Sequence, residues 1–397
     1  MTVDADPKPG AIDPGIADRL AAAIVAVEAL QPGESFNPAI PAALVSNGMH
    51  LLPLPVSVGG LGGGMAAAVD VLSALGAVDG SVALGFAMHT HVMGALADST
   101  GWPPGLRQWL VDLVVREGAL LNAASTEDSS GSPARGGLPA TSAAVVEGGY
   151  RLTGEKTWTS WLPALRAVLV TATLEPGDQI GTFIVDLTSA GVERVPAFDA
   201  LGMRGSASGR LRLHDVFVSG EQLVVVRSPG SPDPRGVAPQ AWFGAAIAAV
   251  YLGLGEGARR DLVRWAVARR PGDGSTAVAD LPTVGVRIGR MDAVLRVART
   301  VLEDVARRWD MAEPGDRAGL MPDLVLAKIT ATNAAVVATD EALRIAGGPG
   351  FLAGRIERAF RDARGGLINP PIDDIALQVF AARLAQRARA EHRDPSD

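Results

Sequence analysis

The stretch "AAVVEGGYRLTGEKTW", residues 143–158, decides how this chain divides. Two short strand-like runs meet at Gly148-Gly149, the pattern of a β-hairpin. "LRAVLVTATL" (165–174), "TFIVDL" (182–187) and "GRLRLHDVFV" (209–218) continue it. In the last run Leu211 and Leu213 alternate with arginines, as on a half-exposed strand.

On either side the period changes to that of helices. Upstream, "IADRLAAAIVAVEAL" (16–30) spaces its apolar residues helically, and "GSVALGFAMHTHVMGALAD" (80–98) is apolar nearly all round, hence buried. Between them "LPLPVSVGGLGGG" (52–64) is punctuated as a loop. Downstream, Val294, Ala298, Val301, Val305 and Trp309 form one apolar stripe, and a helix over 326–346 stops at Gly347-Gly348. "RSPGSPDPRG" (227–236) reads as a linker. The expected organisation is α+β and multidomain: a helical domain over 1–118, a β-domain over 119–235 and a helical domain over 236–397. This order argues against a Rossmann sheet, which needs alternating βα units.

Composition excludes several function classes. With 397 residues the chain can bury a substantial core, and its 48% hydrophobic and 20% charged content is that of a compact globular protein. The net charge of −7 without a basic block makes nucleic acid an unfavoured partner. The lack of cysteine removes disulfides, thiolate nucleophiles and Cys-based metal sites. His89 and His91 lie two apart on an apolar helix and point to different faces, so they make no shared metal site. No secretory pattern opens the chain, and the apolar run 241–255 is too short and glycine-rich for a membrane span, which leaves a buried core helix and a cytoplasmic location as the expectation.

Five segments, in order, resemble motifs of the acyl-CoA dehydrogenase superfamily: "STEDSSGS" (125–132), "GEKTWTS" (154–160), "LGMRGSASG" (201–209), "AGGPGF" (346–351) and "RDAR" (361–364). The resemblance spans roughly residues 20 to 390 and implies an N-terminal helical domain, a central β-barrel and a C-terminal four-helix bundle. It also implies FAD. Thr126 would reach the pyrimidine edge of the flavin, Trp158 would pack on the ring and Ser160 would bond near N5. Gly131 would admit the pyrophosphate, and Ser132 would donate to phosphate or substrate. Arg269 would reach the FAD phosphates of a neighbouring subunit, and Gly347 and Gly348 the adenosine-side phosphates. A shared FAD site implies at least a dimer: a homo-oligomer, or a heteromeric assembly.

The resemblance breaks at the base. α,β-Dehydrogenation of an acyl thioester needs a positioned carboxylate to remove the weakly acidic α-proton. Aligned from "RDAR", the family's usual glutamate position is Pro370, flanked by Asn369, Pro371 and Ile372. The alternative position, on the first bundle helix, falls among Trp242, Phe243 and Gly244. No carboxylate stands at either place. Asp373 and Asp374 follow the prolines as the first turn of a helix would. The expected function is an FAD-dependent dehydrogenase of an acyl thioester or similar substrate with its base unlocated, since the flavin-edge motifs resemble the dehydrogenase type; the alternatives are a flavin-dependent monooxygenase on the same fold, or a base-less subunit of a heteromeric dehydrogenase.

Overall fold

The computed structural model describes residues 12–128, 137–272 and 274–391. Helices come first: α1 (Pro14–Ala29), α2 (Ala39–Ser46), α3 (Met65–Val78), α4 (Gly80–Asp98) and α5 (Pro104–Glu117). Asp79 caps α4, its carboxylate accepting from the amides of Ser81 and Val82. The segment 52–64 is loop and short 3-10 turns, as its prolines and glycines predict.

Strands follow: β1 (Leu121–Ala124), β2 (Ser142–Val146), β3 (Gly149–Thr159), β4 (Ala167–Glu175), β5 (Ile180–Asp186), β6 (Val192–Val195), β7 (Gly209–Ser219) and β8 (Leu223–Arg227). The expected hairpin is β2–β3, closed by Glu147-Gly148 with Gly148 at φ +76°. The described strands form one open sheet in the order β6-β7-β3-β2-β4-β5-β8, not the expected barrel. Closure would need pairing between the edge strands β6 and β8, and their ladders run only to β7 and β5. β4 pairs in parallel with β1 along its first half and with β2 along its last residues.

Long helices complete the chain: α6 (Ala238–Ala268), α7 (Pro282–Met311) and α8 (Met321–Ala346), then the short α9 (Gly348–Phe351), α10 (Arg355–Ala363), α11 (Gly365–Ile368) and α12 (Asp373–Glu391). α7 buries Ala298, Val305 and Trp309 of the expected stripe, while Val294 and Val301 sit at its margin. α6 is long and apolar enough to cross a membrane by composition, but it is the buried central helix of the fold. Glycine lets its backbone touch its neighbours: a Cβ at Gly253 would lie 2.0 Å from the carbonyl oxygen of Ser73 on α3, and one at Gly255 3.1 Å from Cα of Ala335 on α8. Asp98, at the end of α4, accepts the indole N–H of both Trp242 and Trp309 at 2.7 Å, fixing α4 against α6 and α7.

Candidate functional site

The centre of the candidate site is the end of β3. A bulge in its pairing with β7 lies between Lys156 and Thr159, and Trp158 sits there at φ +57°. The bulge turns the Trp158 ring out of the ladder, leaving it 48% exposed against Phe198 at 4.6 Å between ring centroids. Thr126 is brought alongside, because its carbonyl accepts from the amide of Thr157 at 2.8 Å.

Ser160 is buried, and its hydroxyl begins a chain of three. Ser160 Oγ lies 2.8 Å from Ser208 Oγ, which lies 2.9 Å from Ser206 Oγ. Asn122 of β1 supports the turn by donating from Nδ2 to the Ser160 carbonyl at 3.1 Å. Neither Asn122 nor Ser208 stood out in the sequence, where each is one polar residue in an ordinary strand or loop.

Behind this edge, Lys156 and Glu127 form a fully buried ion pair. Burial pushes the Glu127 carboxyl up, but bonds from Lys156, Thr141 and the Ala140 amide outweigh it and hold it down at about 2. The pair joins "TED" to "EKTW", which accounts physically for two of the motifs. Two others are joined likewise: Asp362 of "RDAR" accepts from the Met203 amide, and Arg361 donates to the Leu201 carbonyl at 2.9 Å.

Gly131 and Ser132 lie outside the described residues. Arg269 is exposed and caps the end of α6, 25 positions beyond Gly244, about 37 Å of helix. Gly347 and Gly348 are exposed after α8, and a Cβ at either would meet open space. The structure thus gathers Thr126, Trp158 and Ser160 and leaves Arg269 on another part of the surface.

The diproline segment leads from α11 into α12 and is tied down on both sides. Lys328, buried in α8, donates from Nζ to the carbonyls of Gly366 and Pro371, each at 3.0 Å. Asn369 donates to the buried Tyr251 hydroxyl at 3.0 Å. Asp373 opens α12 and accepts from Asn333 at 2.6 Å, and Asp374 beside it is exposed.

The two histidines of α4 differ in role. His89 is fully buried and satisfied on both ring nitrogens: Nε2 meets the His50 carbonyl at 2.8 Å, and Nδ1 accepts from the Leu121 amide at 3.1 Å. His91 stands edge-on to Phe243 of α6, with centroids 5.4 Å apart. Burial pushes His89 down to about 3 and His91 to about 4, so both are neutral at pH 7.

Comparison with known proteins agrees with this architecture. The N-terminal, middle and C-terminal domain models of acyl-CoA dehydrogenase match residues 16–117, 122–216 and 245–367. YdbM of Bacillus subtilis, assigned to the acyl-CoA dehydrogenases, is 33% identical over 336 residues, covering 84% of this chain and 86% of its own. Butyryl-CoA dehydrogenase from Megasphaera elsdenii superposes with a TM-score of 0.81 at 19% identity, over 95% of this chain and 99% of that one. TdsC from Paenibacillus sp. A11-2, solved with FMN and indole, superposes with a TM-score of 0.78 at 23% identity, over 96% and 97% of the two chains. The chain belongs to the acyl-CoA dehydrogenase family and is a flavin-dependent oxidoreductase of that fold.

Proposed function

We propose that this chain is a flavin-dependent monooxygenase that uses reduced flavin and dioxygen. The observation that carries the reading is that neither base position holds a carboxylate. Pro370 has no titratable group, Trp242, Phe243 and Gly244 carry no carboxylate, and the nearby Asp373 is bonded to Asn333 at a helix start. A dehydrogenase of acyl thioesters needs a carboxylate there, and a monooxygenase does not. TdsC, a dibenzothiophene monooxygenase of the same fold, supports the reading.

The residues at the end of β3 fit a flavin. Trp158 offers a flat aromatic wall, Ser160 a hydroxyl for the ring's polar edge, and Thr126 the adjoining loop. Bound reduced flavin would supply the electrons with which one atom of dioxygen enters the substrate and the other leaves as water. The chain's own residues orient the ring. The hydroxyl chain Ser160–Ser208–Ser206 can hold or pass a proton at the ring edge, because each hydroxyl both donates and accepts. FAD rather than FMN is the finer reading. It rests on the open glycine turn Gly347-Gly348 and on Arg269, which would serve a second copy's cofactor.

The test is isotopic. Flavin-loaded protein is supplied with a flavin reductase, NADH, heavy-isotope dioxygen and a panel of apolar aromatic substrates. Heavy oxygen in a product supports the proposal. Turnover of an acyl-CoA to its enoyl product without dioxygen overturns it. Flavin uptake only with a second gene product would make the chain the base-less subunit instead.

A further inference from the structure

The buried face of α3 carries a carboxylate with no donor to meet it. Asp70 and, three residues on, Ser73 are both buried on α3. Neither Asp70 Oδ1 nor Ser73 Oγ makes a hydrogen bond among the described residues. A charged oxygen left so in the interior is costly, and a protonated one is far less so.

The charged groups that face Asp70 come from two helices: Glu256 of α6, and Arg299, Glu303 and Arg307 of α7. Arg299 is committed to the other acids. Its Nε and Nη2 donate to the two oxygens of Glu256 at 2.7 and 2.5 Å, and its Nη1 donates to Glu303 at 3.0 Å. That leaves Nη1 3.9 Å from Asp70 Oδ1, beyond hydrogen-bond reach. Arg307 is exposed and pulls less than Arg299. One buried guanidinium therefore stands among three carboxylates. Glu256 and Glu303 already outnumber it, so a third negative charge has no partner. Burial, then the Glu303 charge, push the Asp70 carboxyl up to about 7.

α3 has little slack with which to relieve a repulsion. A Cβ at Gly76 would lie 2.5 Å from the Val250 carbonyl oxygen, and one at Gly257 2.5 Å from that of Ala77, so α3 and α6 touch backbone to backbone. At its start α3 is seated on α7, where Asp310 accepts from the amides of Met65 and Ala66 at 2.7 and 2.9 Å. At its end it runs through Asp79 straight into α4, whose Gly85 abuts the Trp161 ring beside Ser160. Elements packed this closely answer a new charge by separating rather than by bending.

We infer that Asp70 is the proton-operated catch of a joint between the N-terminal helices and the C-terminal bundle. Protonated, it lets α3 seat on α6 and α7; ionised, it is repelled by Glu256 and Glu303 and loosens α3 from them. The sign follows from linkage. A carboxyl at about 7 when seated, against its ordinary 3.8, favours the seated state fully below about pH 4. That preference declines as the pH rises and is gone above about pH 7. The joint stands one helix from the candidate flavin site, and the inference does not depend on which reaction that site runs.

The test is amide hydrogen exchange on the full chain from about pH 5 to about pH 8, with rates corrected for intrinsic exchange. In wild type, protection over 65–78 should fall about tenfold per pH unit up to about pH 7 and then level off. Protection over the α8 core, 327–342, should change much less. Asp70→Asn, the isostere of the protonated acid, should hold α3 at a constant protection throughout. Glu303→Gln removes a like charge and frees Arg299 Nη1, so its profile should level off at a lower pH. Should Asp70→Asn fail to fold, Glu303→Gln decides alone. Matching profiles in wild type and Asp70→Asn overturn the inference. An unmoved profile in Glu303→Gln does the same, as does a parallel fall over α3 and α8, which would make Asp70 a determinant of global stability and no joint.

Discussion

The ammonium of Lys328 donates to the carbonyl of Pro371 at 3.0 Å, so a buried lysine holds the segment where the family's base is usually carried. Burial pushes this ammonium down to about 8, with Asp373 opposing the shift. Because the folded pKa lies below the ordinary 10.5, the unfolded chain binds more protons between those values. This group's contribution to stability therefore rises with pH from about 8 to about 10.5. Relative to Lys328→Met, wild type should gain up to about 3 kcal/mol across that window in denaturant unfolding. A pH-independent difference between the two would show that the ammonium is not held in this way. Faster amide exchange over 366–372 in the variant would report the loosened loop directly.

The Glu127–Lys156 pair makes a prediction of the same sign on the acid side. The Glu127 carboxyl is held at about 2, below its ordinary 4.5. Its contribution is full above 4.5 and is lost as the pH falls toward 2. Lys156→Met should cost about 3–5 kcal/mol, because it removes the buried counter-charge of a buried carboxylate. Adding Glu127→Leu should return most of that loss. If the double variant is as unstable as the single, the pair's worth lies in packing instead.

Much of this was legible in the sequence. Helical and strand periods are local properties, so the order of helices, sheet and helices could be read from residues 16–30, 143–158 and 294–309. Open sheet against barrel was not legible, because closure depends on whether β6 meets β8, a contact that no local pattern encodes. Trp158 and Ser160 were found through their neighbours in "EKTWTS". Asn122, Ser208 and Lys328 were missed, since each acts through a partner distant in sequence.

The contrast between the two α4 histidines can be measured. His89→Phe should destabilise the fold by about 2–3 kcal/mol, because the His50 carbonyl and the Leu121 amide lose their partner. His91→Phe should cost less than about 1 kcal/mol, as its only bond among the described residues is to a helix carbonyl. Parallel urea titrations decide this, and equal losses would place His91 in the structural core.

Trp158→Ala removes a half-exposed ring and should leave the melting temperature within a few degrees of wild type. Flavin affinity should fall about tenfold or more, as expected for loss of an aromatic wall. Fluorescence titration of flavin into deflavinated protein measures it, and an unchanged affinity would remove Trp158 from the ring site.

A flavin site served by no carboxylate base should be inert toward acyl thioesters. The most direct measurement is anaerobic mixing of the oxidised, flavin-loaded protein with a panel of straight-chain acyl-CoAs while the flavin absorbance is followed. The flavin should stay oxidised with every member, in wild type and in Asp373→Asn alike. Rapid bleaching of wild type that vanishes in Asp373→Asn or Asp374→Asn, with flavin still bound, would show that the base has moved to the start of α12 and would contradict it.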